Sequence, residues 1–167
     1  PKWDETSIKF LDVLQCNSGN TTIQHSSEKF QSSWKFAYQN PAQGFDFDSS
    51  TEWKSININN SKKMQGRLIG GCLNTLQILI GTPFDHLKSF VADYCPEGIV
   101  FYLESVGMDA AQIYRALWQM KQNQWFEKCN GILIGRAGLY ENLGDFTLED
   151  ALQDAFIDLN IPIFYDV

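Results

Sequence analysis

Glu104 closes an uninterrupted apolar run, Gly98-Ile-Val-Phe-Tyr-Leu103, and leads straight into Ser105-Val-Gly-Met-Asp109. Ile, Val, Phe, Tyr and Leu without polar alternation read as a strand buried on both faces, as parallel strands flanked by helices are. Reacting groups in open parallel sheets gather just past the carboxyl ends of the strands, where Glu104 falls. The other reading of Glu104 is a carboxylate that caps the following turn or pairs with a nearby arginine. Arg136, at the end of the next apolar run Gly131-Ile-Leu-Ile134, either makes such a pair or lies in solvent.

Gly66-Arg-Leu-Ile-Gly70-Gly71 precedes a helix start, where free N–H groups can hold an anion, so Gly70 and Gly71 are candidate substrate-binding positions. The segment has neither the Gly-Lys-Ser/Thr ending of a P-loop nor Gly-x-Gly-x-x-Gly spacing, and a tight strand-to-helix turn is the favoured account of it. Serine catalysis needs an exposed serine elbow, a histidine base and an acid. The chain has no Gly-x-Ser-x-Gly, and His25 and His86 stand in polar or turn-rich sequence away from any strand end. Asp85 beside His86 suggests a dyad, but adjacent side chains seldom converge on one substrate. Cys16, Cys72, Cys95 and Cys129 are irregularly spaced, so the expectation is free thiols, no disulfide framework, no metal site and no cofactor.

A net charge of −7 argues against nucleic acid as a partner, because phosphate contacts need clustered Lys and Arg. With 44% apolar and 14% aromatic residues the composition is that of a folded chain. No apolar run approaches the roughly 20 residues that cross a bilayer, and residues 1–5 do not resemble a secretory signal, so no membrane association is expected. The length suits one domain. A start at Pro1 and a stop at Val167 just after a strand-like run suggest a piece of a longer protein.

Residues 1–16 read as a lead-in helix capped by Asp4, with Ile8, Leu11 and Leu14, flanked by Phe10 and Val13, on its buried face. Residues 17–63 are polar, with alternation at Trp34/Phe36/Tyr38, Phe45/Phe47 and Ile56/Ile58 that predicts short half-buried strands and a turn at Asn40-Pro-Ala-Gln-Gly44. From about residue 64 onward the rhythm is strand and helix in turn: Arg67–Ile69, a helix over Leu73–Ile80, the strand to Leu103, a helix, Gly131–Ile134, a helix, Ile163–Tyr165. That alternation predicts an α/β fold with a parallel sheet. The helix after Glu104 starts on an Asp109/Gln112 capping box and buries Ala110, Ile113, Tyr114, Leu117 and Trp118. The last one starts at Thr147 and buries Leu148, Ala151, Leu152, Ala155, Phe156 and Leu159.

Gly66-Arg-Leu-Ile-Gly-Gly-Cys-Leu73, Gly81-Thr-Pro83, Phe101-Tyr-Leu-Glu-Ser105, Tyr114-Arg-Ala-Leu117 and Gly131-Ile-Leu-Ile-Gly-Arg136, in this order, resemble the C-terminal domain of the serine LD-carboxypeptidases. Within that family the chain is more similar to the microcin C self-immunity proteins. The resemblance runs from about Gln65 to Val167. It implies a swivelling β/β/α fold and a cytoplasmic, metal-free, commonly homodimeric enzyme with a Ser-Glu-His triad. The nucleophile serine belongs to an N-terminal domain that this chain lacks, and the histidine is expected just after the last strand. The family's Leu-Glu pair carries over to Glu104 as the triad acid. The implied substrates are L,D bonds of murein peptides or an aminoacyl-nucleotide toxin, and this chain alone would be inert. The alternative is a non-catalytic α/β module that binds an anionic ligand at Gly70–Gly71.

Overall fold

A computed structural model describes residues 5–33, 44–56 and 63–167. The chain divides into two compact units, Pro1–Glu52 and Trp53–Val167. The first contains helix α1 (Glu5–Leu14) and a two-stranded antiparallel pair, β1 (Lys29–Phe30) and β2 (Ser49–Ser50). Asp48 fastens the pair: its carboxylate accepts from Ser32 N at 2.8 Å, Ser32 Oγ at 2.9 Å and Ser49 Oγ at 3.0 Å. Those donors hold it below the usual carboxylate range.

Two expectations for this unit change. Ile8, Phe10, Val13 and Leu14 are exposed and only Leu11 is half-buried, since a helical stripe determines which residues share a face and not what covers it. Phe45 and Phe47 lie outside any strand, with ring centroids 5.9 Å apart. Asp4, Trp34, Phe36, Tyr38, the turn at residues 40–43 and Ile58 fall outside the described residues.

The second unit is built on a five-stranded sheet of β3 (Lys54–Ser55), β4 (Arg67–Cys72), β5 (Ile99–Glu104), β6 (Cys129–Ile134) and β7 (Ile163–Tyr165), in the spatial order β3-β7-β6-β5-β4. Strands β4 to β7 are parallel and lie side by side in chain order; β3 closes the edge antiparallel to β7. The sheet thus starts ahead of residue 64, with Lys54 and Ser55 drawn from the polar segment. Short α2 (Leu73–Leu76) runs into a 3-10 turn, Gln77–Leu79, in place of the single helix expected over Leu73–Ile80. Helices α3 (Leu87–Tyr94), α4 (Ala110–Gln122) and α5 (Leu148–Phe156) complete the crossovers. Sequence reading missed α3, which has only eight residues and whose N-cap, His86, makes no side-chain cap.

Strands added sequentially in one direction through right-handed crossovers place their helices on the same face. That face holds the core: Phe101, Leu103, Ile132 and Ile163 pack with Val91, Ile113, Leu117, Leu152 and Phe156 from the helices. Phe126 links the layers, edge-on to Phe101 at 5.6 Å and to Phe156 at 5.4 Å. The opposite face is only partly covered. Leu68 is 60% and Tyr102 39% exposed, so β5 is not buried on both faces as its composition suggested. Its burial alternates from Phe101 onward.

The capping box at Asp109 and the cap at Thr147 form as expected, the latter as a second box. Asp109 and Gln112 exchange bonds of 2.7 and 2.8 Å at the start of α4, and Thr147 and Asp150 do so for α5. The buried stripe of α4 runs through Ala110, Ile113, Ala116, Leu117 and Met120, which leaves Trp118 48% exposed. Phe101→Ala should cost about 3–5 kcal/mol, as large-to-small changes of fully buried aromatics do. Asp109→Ala, which removes one cap, should cost about 1 kcal/mol. Denaturant unfolding that ranks the two the other way round would contradict this packing.

Candidate active site at the carboxyl edge of the sheet

Register, more than sequence distance, assembles the neighbourhood of Glu104. Cys72 at the end of β4 is the parallel partner of Glu104 at the end of β5. On the other side, Leu103 pairs with Ile134 and Ile134 with Tyr165, so Gly135 and Asp166 follow in the same row. A Cβ on Gly135 would lie 3.5 Å from the Cβ of Glu104; with glycine there, the strip between Glu104 and Asp166 carries no side chain. Glu104 is exposed, and among the described residues its carboxylate has no hydrogen-bond or ion-pair partner.

The backbone behind Glu104 is firmly held. Beyond the strand ends, residues 105–109 and 135–141 continue side by side through bridges Val106↔Gly138 and Asp109↔Glu141. Gly135 N donates to Leu103 O at 2.8 Å, Gly138 N to Ser105 O at 2.9 Å and Gly107 N to Gly138 O at 2.8 Å. Ser105 is buried. Asn74, on α2, clasps the same loop with its side-chain amide: Nδ2 donates to Val106 O at 3.1 Å, and Oδ1 accepts from Val106 N at 3.4 Å. The carboxylate is therefore free while its main chain is braced from both sides, as a group that must meet a partner in fixed geometry requires.

The competing roles for Glu104 find no contact here. Arg136 turns to the next strand, where Nη1 donates to Asp166 O at 3.1 Å. Cap duty at α4 falls to Asp109.

Gly70 and Gly71 lie inside β4 and not in a turn after it. A Cβ on Gly70 would stand 1.7 Å from Tyr102 O, and its φ is +155°. Only glycine permits that approach, whatever ligand the neighbourhood takes. Gly71 has φ +152° but open space around it, the nearest atom being Leu76 Cδ1 at 3.9 Å.

His25 and His86 are exposed. Asp85 does not serve His86: its carboxylate accepts from Asn123 Nδ2 at 2.6 Å, Trp125 Nε1 at 3.1 Å and Gly81 N at 3.2 Å, tying the loop before α3 to the end of α4. All four cysteines are free thiols, and burial pushes the Cys129 thiol up to about 12. Among the described residues no cluster of His, Cys, Asp and Glu has the arrangement of a metal site, and no helix is long and apolar enough to cross a membrane.

Residues 65–167 match the model of the LD-carboxypeptidase C-terminal domain. The chain belongs to this family. A provisionally named carboxypeptidase of Vibrio cholerae is 30% identical over 179 residues, which cover 99% of this chain and 46% of that protein. The microcin C7 self-immunity protein MccF of Escherichia coli is 31% identical over 87 residues, 50% of this chain and 22% of MccF. In fold, the chain is similar to MccF solved in complex with aspartyl sulfamoyl adenosine, with a TM-score of 0.73 at 20% identity over 96% of this chain and 45% of that one. An MccF-like protein of Streptococcus pneumoniae solved with AMP gives 0.63 at 20% identity, covering 97% and 48%. The chain spans about half the length of the solved relatives it matches.

Within this LD-carboxypeptidase domain, three neighbours of Glu104 escaped the sequence reading: Asn74, Gly135 and Asp166. Asn74 lies two residues past the end of β4 and Asp166 directly follows the apolar strand β7, a position where an Asp tolerates left-handed backbone; Gly135 has no signal beyond its place after Ile134.

Two expected outcomes follow from the geometry. Gly70→Ala should unfold the domain or destabilise it far more than Gly71→Ala, since only the former drives a Cβ into a backbone carbonyl; equal melting temperatures would contradict the β4–β5 approach. Asn74→Ala should speed amide hydrogen exchange at Val106 and Gly107 with little change in global stability. Unchanged exchange would show that the clasp carries no weight.

Proposed function

We propose that the chain is the acid-bearing C-terminal domain, residues 1–167, of a two-domain serine carboxypeptidase that cleaves an amide bond next to a free carboxylate or small polar group. One observation carries the proposal: in a domain of the LD-carboxypeptidase family, the carboxylate of Glu104 is exposed and, among the described residues, unpartnered at the carboxyl end of a parallel strand whose backbone is braced around it.

In this reading a serine from an N-terminal domain attacks the carbonyl while a histidine that follows β7 takes its proton. Glu104 accepts a hydrogen bond from that histidine, holds it in the tautomer that faces the serine and stabilises the imidazolium. The histidine returns the proton to the leaving amine as the tetrahedral intermediate collapses, and water then releases the acyl group by the same sequence in reverse. Glu104 remains ionised throughout. Alone, the chain supplies one group of three and is inert.

The relatives support a substrate class. MccF has been solved with aspartyl sulfamoyl adenosine and with glutamyl sulfamoyl guanosine, and the family bears the LD-carboxypeptidase name. An aminoacyl-nucleotide with an acidic amino acid, or the L,D bond of a murein peptide, is the substrate class of the whole enzyme, which acts in the cytoplasm as a homodimer.

Glu104→Gln in the full-length protein should lower kcat by a factor of about 10³–10⁴ with KM little changed, the scale seen when a triad acid is neutralised elsewhere. Turnover of both substrate classes, measured with wild type and variant, checks this. Unchanged turnover removes Glu104 from the mechanism, and saturable binding of aspartyl sulfamoyl adenosine by residues 1–167 alone would favour the non-catalytic module.

A further inference from the structure

Strand β4 turns away from β5 before the extended chain after Glu104 has ended. Cys72 pairs with Glu104 in the last parallel step, and Leu73 already begins α2. The chain beyond Glu104 nevertheless stays extended on its other side, where Val106 bridges to Gly138. In a parallel ladder, successive residues direct their N–H and carbonyl groups alternately to the two neighbouring strands. Ser105 O accepts from Gly138 N at 2.9 Å and Gly107 N donates to Gly138 O at 2.8 Å, so these groups face residues 135–141. The N–H and carbonyl of Val106 therefore face the side that β4 has left.

Two more steps in the β4–β5 register would place residue 74 opposite Val106. Its backbone is helical there, but its side chain meets both groups: Asn74 Nδ2 donates to Val106 O at 3.1 Å and Oδ1 accepts from Val106 N at 3.4 Å. A carboxamide presents a donor and an acceptor side by side, as one edge of a strand does. The side chain of Asn74 thus supplies the two ladder bonds that the start of α2 withdraws. Asn near a helix start commonly serves its own helix as a cap, yet α2 has no side-chain cap and this amide is committed to the neighbouring loop. Cys72 Sγ, on the residue in register with Glu104, also donates to Asn74 Oδ1, at 3.9 Å.

We propose that Asn74 is a positioning residue of the site, a side-chain substitute for the next residue of β4. It extends the ladder past Glu104 on the β4 side as residues 135–141 do on the β6 side, so that Glu104 projects from the middle of a paired segment and not from a fraying end. The inference rests on the reading of Glu104 as the acid of a triad. It adds that the direction of this acid depends on a group at position 74 that both donates and accepts.

The test is kinetic, in the full-length enzyme, with Asn74→Ala, Asn74→Asp and Glu104→Gln compared on one substrate. Asn74→Ala should lose roughly tenfold in kcat with KM within about twofold of wild type, since misplacing a reacting group acts on the chemical step. Asn74→Asp keeps the size and shape of Asn and the acceptor for Val106 N, but it sets a carboxylate oxygen against Val106 O and should lose more, up to about a hundredfold. If Asn74→Asp does not fold, Asn74→Ala decides. Wild-type kcat in the variants that fold, with Glu104→Gln inactive, would overturn this inference alone, as would a loss expressed in KM with kcat unchanged. An active Glu104→Gln would instead overturn the triad reading beneath it.

Discussion

Right-handed crossovers between strands laid down in one direction leave a sheet only one face on which to pack its helices. Everything in the second unit follows from that restriction. With β4, β5, β6 and β7 adjacent in chain order, α3, α4 and α5 converge on Phe101, Leu103, Ile132 and Ile163, and the residues between them point to the other side. Glu104 belongs to that other set, two residues beyond Tyr102. Its exposure therefore results from the winding of the chain and not from any feature of the residue itself.

The same winding removes the reversal of strand order at which doubly wound sheets usually open a crevice. The edge of this sheet is shaped by glycine instead. Gly70 lets β4 press onto the Tyr102 carbonyl, which brings Cys72 into register with Glu104, and Gly135 leaves the next position bare. The paired loops at 105–109 and 135–141 extend the hydrogen-bonding pattern past the strands, with Asn74 clasping one of them. A free carboxylate on a braced backbone is the outcome, and the family relation gives that carboxylate its chemical meaning.

Much of this was legible in the chain. The capping box at Asp109, the cap at Thr147, the parallel strands ending at Glu104 and Ile134, and the α/β rhythm all depend on local spacing, and local spacing survives folding. The failures share a different cause. Trp118 and Tyr102 are as apolar as their buried neighbours, and only the helix tilt and the winding of the sheet expose them. Helix α3 is too short and too weakly capped to announce itself, and β3 is two residues whose strand character comes from pairing with β7.

By itself the sequence determined the longer strands and helices from residue 67 onward, because side-chain periodicity and caps act within a few residues of one another. It also established that Glu104 closes a strand and, through motifs in fixed order, which family the domain belongs to. Only the tertiary structure decided that Cys72, Gly135 and Asp166 share a row with Glu104, since register across a sheet depends on hydrogen bonds between residues thirty or more positions apart. It alone decided that the carboxylate stays unpaired among the described residues while Arg136 turns to Asp166, for a charged side chain takes the partner that folding brings within reach.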